Sequence, residues 1–89
     1  MTITTRFYEV NKGNVKASCS ICIDDKLVIK GFNVMRNSKD NSLFISFPSV
    51  KVGDEYVNTV YCLNKDYFNS LSRLILDNYK ATQEKPDTL

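Results

Sequence analysis

Histidine and tryptophan are absent from this 89-residue chain, and glycine (3), proline (2) and methionine (2) are scarce. Without histidine there is no serine–histidine or cysteine–histidine nucleophile pair, and the commonest proton shuttle near neutral pH is missing. So few glycines leave no glycine-rich phosphate loop. No apolar run approaches the roughly 20 residues a membrane-spanning helix needs. The start, Met1-Thr2-Ile3-Thr4-Thr5-Arg6, lacks the apolar stretch of a secretory leader. Charge of one sign is also lacking: 12 Lys+Arg stand against 10 Asp+Glu, a formal +2. A strong nucleic-acid binder usually carries a clearer excess or a concentrated basic patch. Three cysteines, an odd number without a leader, suit free thiols in a reducing cytoplasm. The expectation is a soluble cytoplasmic protein with no membrane contact, no cofactor, no metal and no catalytic site.

What is present is a chain rich in strand-forming residues. Its length allows one domain, and such a domain buries only about two-thirds of the surface its unfolded chain exposes. A sheet closed on one face by one helix is about what it can build, so the other face is solvated or covered by a partner. Ile3 to Val10 reads as a strand and Asn11-Lys12-Gly13-Asn14 as a turn. Val15 to Ile23 alternates cleanly, with Val15, Ala17, Cys19, Ile21 and Ile23 on one face. After Asp24-Asp25-Lys26 comes Leu27 to Met35, apolar on both faces and so in need of cover on both. Arg36 to Ser42 is a polar loop. Leu43 to Ser49 alternates until Pro48, which cannot donate to a ladder, and reads as an inner strand around which the rest is organised. Val50 to Asp54 reads as a turn around Gly53, and Glu55 to Leu63 as a fifth strand.

Asn64 has the side chain of an N-cap, and Asp66 suits the first turn of a helix. Helical spacing then puts Tyr67, Leu71, Leu74, Ile75 and Asn78 on one side, flanked by Phe68 and Tyr79. Lys65, Arg73 and Lys80 lie opposite, within about 80° of one another, and Leu76 falls on the solvent side. The expected fold class is α+β: an antiparallel meander of about five strands with one C-terminal helix, assembled as a homodimer. The domain spans 1–81, and 82–89 is a flexible tail.

The ordered set of local features resembles the SpoVG family, a family of septation regulators. It comprises Arg6-Phe7 with Val10-Asn11 before a glycine turn, Ala17-Ser18 leading to Ile21-Cys22-Ile23-Asp24, and Leu43-Phe44-Ile45 with Phe47-Pro48-Ser49, similar to the family's LFVAMPS signature. Leu63-Asn64 before a helix carrying Leu76 and Tyr79 completes it. The resemblance runs from about Arg6 to Tyr79 and implies a homodimeric bacterial cytoplasmic regulator of cell division and sporulation genes that binds DNA or RNA. The chain departs from the pattern where Val50-Lys51 replaces two basic residues, where Phe68 and Ser70 replace an Arg and a Lys, and where Tyr61-Cys62 replaces a His-Pro or Thr-Pro pair. Three potential phosphate contacts are thereby lost, which weakens salt-sensitive affinity steeply.

The candidate nucleic-acid surface is Lys51, Lys65, Arg73 and Lys80, with Arg36 and Lys39 as a second. The candidate dimer interface is Val28, Phe32, Val34 and Phe44. Tyr8, Tyr56, Tyr61, Phe7 and Phe44 could stack on single-stranded bases, but strand aromatics more often pack in cores or interfaces. Cys19 and Cys22 resemble a C-x-x-C site, yet on a strand they point to opposite faces. Asp24-Asp25 and Asp54-Glu55 are ordinary turn carboxylates. The alternative function is a protein-interaction or structural dimer without significant nucleic-acid binding; other proteins are then the partners.

Overall fold

The computed structural model describes residues 2–84. Four strands form one antiparallel sheet in the order β1-β2-β3-β4: β1 Ile3–Lys12, β2 Val15–Ile23, β3 Leu27–Arg36 and β4 Leu43–Ser46. A separate two-stranded ribbon, β5 Ser49–Val52 and β6 Glu55–Asn58, follows, and then α1, Lys65–Glu84. The expected single meander is thus two sheets. The Leu43 to Ser49 segment is not an inner strand: β4 is the edge of the larger sheet, and the chain beyond Pro48 pairs with β6 instead. Proline explains the break, since it has no N–H with which to extend the β3–β4 ladder. Val50 to Val52, expected in a turn, instead belong to β5, so only Gly53 and Asp54 turn, and the strand expected over 55–63 ends at Asn58. The base of the ribbon is fastened to the bend: the Thr59 amide donates to the Pro48 carbonyl at 2.9 Å, and Asn58 Nδ2 donates to the carbonyls of Phe47 (3.4 Å) and Pro48 (3.3 Å).

One sheet face carries the core. Ala17, Cys19 and Ile21 of β2, Phe32 and Val34 of β3 and Ile45 of β4 are buried with Phe47 beneath Leu71, Ile75 and Tyr79 of α1. Edge-on aromatic pairs tie the layers: Phe32 to Phe47 at 4.9 Å and Phe7 to Tyr79 at 5.5 Å, while Phe47 stacks on Phe68 at 5.1 Å. Asn64 caps the helix, its Oδ1 accepting from the Tyr67 amide at 2.9 Å. Leu76 is half-buried against the core, not solvent-facing, because a helix lying across a sheet covers more than its central stripe. The helix also runs past Ala81 to Glu84; the rest of the expected tail, 85–89, lies outside the described residues.

A bulge in β3 changes which residues are inside. Cys19 pairs with Phe32 but Ile21 pairs with Ile29, so β3 has one residue too many at Lys30-Gly31. Gly31 takes φ +104°, and a Cβ there would sit 3.2 Å from the Pro48 Cβ. The extra residue reverses the alternation. Val28 therefore stays on the open face at 54% exposure, whereas Phe32 and Val34 turn inward to 0%. Phe32 and Val34 accordingly belong to the protomer's own core and offer no surface to a partner. Phe44, paired with Met35, is on the open face at 45% exposure.

Candidate nucleic-acid interface

The antiparallel order brings the β1–β2 turn, the β3–β4 loop and the end of α1 to the same end of the sheet. The register is explicit: Lys12 lies opposite Val15, Val15 opposite Met35 and Arg36 opposite Leu43, and the Arg36 amide donates to the Asn14 carbonyl at 2.8 Å. Lys12, Lys16, Arg36 and Lys39 therefore converge here. Lys16 is the extra residue of a second bulge, between Val15 and Ala17 of β2. Lys80 follows Tyr79, whose ring meets Phe7 of β1, so the last turns of α1 point to this end as well.

The β3–β4 loop is held rather than loose. Asn37 Oδ1 accepts from the Lys39 amide at 2.9 Å, the Asn37 amide donates to the Ser42 carbonyl at 2.7 Å, and Asn41 sits at φ 62°. Asp40 accepts from both the amide (3.0 Å) and the hydroxyl (2.7 Å) of Ser42, and these bonds lower its pKa. The loop's one carboxylate is thus engaged within the loop, while the Lys39 side chain is exposed. Arg36 is the last residue of β3 instead of a free loop residue. It is half-buried, and among the described residues its Nε has no hydrogen-bond partner.

The other expected cations are dispersed. Lys65 opens the helix next to Asp66, at the opposite end of the sheet from this cluster. Lys51 lies on the ribbon, paired with Tyr56, one residue pair from Glu55. Arg73 is exposed in mid-helix with Asp77 one turn on. Asp24 and Asp25 in the β2–β3 turn lie at that opposite end beside Lys26, Asp66 follows Lys65 in the first helical turn, and Asp54 and Glu55 belong to the ribbon. Sequence reading missed Lys12 and Lys16, which looked like a turn residue and an outward strand position. The signal that could have found them is the strand order itself, since a meander returns every second connection to one end.

The aromatics do not assemble into one platform. Phe7 faces the helix, Tyr8 and Phe44 lie on the open sheet face, Tyr56 lies on the ribbon and Tyr61 beyond it. Cys19 and Cys22 occupy opposite faces, and burial pushes the Cys19 thiol up to about 11, a backbone contact with Arg6 acting the other way. Among the described residues no three metal-ligating side chains come together, and no helix is long and apolar enough to cross a membrane.

These features define a small α+β domain that presents surfaces: a helix-backed antiparallel sheet, a basic end and a projecting ribbon. The chain belongs to the SpoVG family, whose family model matches residues 1–81. It is 36% identical over 81 residues to a protein of Agathobacter rectalis, covering 89% of this chain and 91% of the relative. A relative in Lachnoclostridium phytofermentans is 35% identical over 83 residues, 90% and 87% of the two chains. One in Caldanaerobacter subterraneus is 31% identical over 75 residues, 83% and 80%. All three bear the name "Putative septation protein SpoVG".

Proposed function

We propose that this chain is a bacterial regulatory protein of the septation and sporulation type, acting in the cytoplasm as a homodimer that binds DNA or RNA weakly through basic side chains. The observation that carries this reading is the convergence of Lys12, Lys16, Arg36 and Lys39 at one end of the sheet. Clustered cations displace condensed counterions from a phosphate backbone together, and this term is largely independent of base sequence. The relatives' septation name supports the process. A two-fold dimer presents the basic end twice, so two shallow contacts act together. With its Nε buried, Arg36 has its two terminal guanidinium nitrogens for a phosphate, and the lysines add point charges at the same end of the sheet.

Fluorescence anisotropy of labelled duplex DNA, single-stranded DNA and RNA, titrated over salt, tests the reading. Binding is expected to weaken as salt rises. Lys12→Ala with Lys39→Ala should flatten the log–log salt slope by about 0.9 for each phosphate contact removed on duplex DNA. Lys51→Ala with Lys65→Ala, on the ribbon and at the helix start, should leave the slope unchanged. The reverse pattern would move the interface to the ribbon and helix start.

The ribbon supports a second reading, an interaction or structural dimer without significant nucleic-acid binding, because its side chains are exposed along its whole length. Absence of binding even at low salt would favour it.

A further inference from the structure

Among the described residues the β5–β6 ribbon has every strand residue exposed. Its register pairs Val50 with Val57, Lys51 with Tyr56 and Val52 with Glu55. Val50, Val52 and Val57 therefore share one face, at 49%, 59% and 50% exposure. Two strands of four residues do not make a stable sheet in water unless something covers them, and β-branched residues favour a half-buried pleated surface. The hydrogen bonds from Asn58 and Thr59 fix where the ribbon leaves the domain, but they cover neither face.

A second surface is also uncovered. The open face of the four-stranded sheet carries Val28, Phe44 and Tyr8, each about half exposed, together with Arg6 and Lys30, which outnumber the one carboxylate at its margin, Asp25. The two surfaces are complementary in charge as well as polarity. The ribbon adds Asp54 and Glu55 at its tip to an apolar face, and the sheet adds Arg6 and Lys30 to its own apolar side chains.

We propose that a second copy of this chain supplies both covers. The valine face of each ribbon lies on the open sheet face of the partner, with Asp54 and Glu55 against the partner's Arg6 and Lys30. Two-fold symmetry makes each protomer both donor and acceptor, so the contact is made twice in a closed pair. Opposed charge then fixes the direction in which the ribbon lies. This rests on the homodimer proposed above and specifies its interface.

Sedimentation equilibrium of the full chain and its variants is the test. Asp54→Lys with Glu55→Lys, and separately Arg6→Glu with Lys30→Glu, should each raise the dimer dissociation constant about tenfold or more. Combining all four substitutions should restore dimerisation, because the charges are then exchanged across the interface. Val50→Asp with Val57→Asp should give monomers that keep the helical circular dichroism and the cooperative unfolding of the four-stranded sheet and α1, losing at most the ribbon's strand signal. A parent dimer indifferent to all these changes, or a fourfold variant no tighter than the doubles, would overturn this interface and leave the homodimer standing. A parent that is monomeric at every concentration would overturn the homodimer as well.

Discussion

At φ +104° and with Pro48 3.2 Å from where its Cβ would be, Gly31 occupies a site that L side chains enter only under strain. That one residue sets the facing of half a strand. Val28 and Phe32 are four apart, an even number, and strict alternation would put them on one side. The glycine bulge separates them, sending Phe32 into the core and leaving Val28 outside. Gly31→Ala is expected to cost about 1–3 kcal/mol, read as a lower urea midpoint; an unchanged midpoint would mean that the bulge relaxes around the methyl. Cys19 shows the opposite sort of constraint. Its pKa is raised to about 11 because burial disfavours the thiolate. A raised folded pKa stabilises the protein below the unfolded thiol's range, and this contribution is lost as pH climbs towards 11. At neutral pH the thiol is simply a small apolar packing group.

Among the elements, the helix was the most legible. Its cap, first-turn Asp66 and buried positions Leu71 and Ile75 all follow from spacing, because a 3.6-residue period survives over five turns. Asn64→Ala should lower stability by about 0.5–2 kcal/mol, seen in thermal or urea unfolding, through loss of the bond to the Tyr67 amide; Asn64→Asp should retain most of it. β2 was equally plain, with Ala17, Cys19 and Ile21 buried as alternation requires. β3 was read with nearly its true bounds but with the wrong facing, because a bulge leaves no mark in a pattern of apolar residues beyond an unassuming glycine. The last two strands were misread for a different reason. Val50 and Val52 read as turn because Gly53 and Asp54 follow at once, although both are strand-formers, and nothing around Tyr56 and Val57 distinguishes continuing a meander from leaving it. Pro48 was the available signal, and its meaning was a departure from the sheet, not merely an end to pairing.

At the scale of the whole molecule, the fold class and family were readable from the ordered segments, whereas the candidate site was only partly so. A charge count of +2 conceals an uneven spread: Lys12, Lys16, Arg36 and Lys39 outnumber Glu9 and Asp40 at one end, while Asp24, Asp25 and Asp66 lie with Lys26 and Lys65 at the other. Composition averages over the two, and only the strand order resolves them. Arg36 and Lys39 were among the expected contacts, but Lys12 and Lys16 join them through hairpin geometry that no linear window contains. Lys51, Lys65 and Arg73 were grouped by charge alone and are dispersed by the fold.

The hydrogen bond from Asn78 to the Thr5 hydroxyl, 3.1 Å long and 73 residues apart in sequence, carries a kinetic consequence. Each strand of the larger sheet pairs with its neighbour along the chain, so the ladders close by short loops at little entropic cost. Seating α1 on β1 must instead join the two ends of the domain, and it should come after the rate-limiting barrier. Ile75→Val is therefore expected to accelerate unfolding with little effect on refolding, while Ile21→Val in the β2–β3 hairpin should slow refolding. Stopped-flow chevrons would show the two arms moving separately, and equal shifts in both variants would mean that sheet and helix form together.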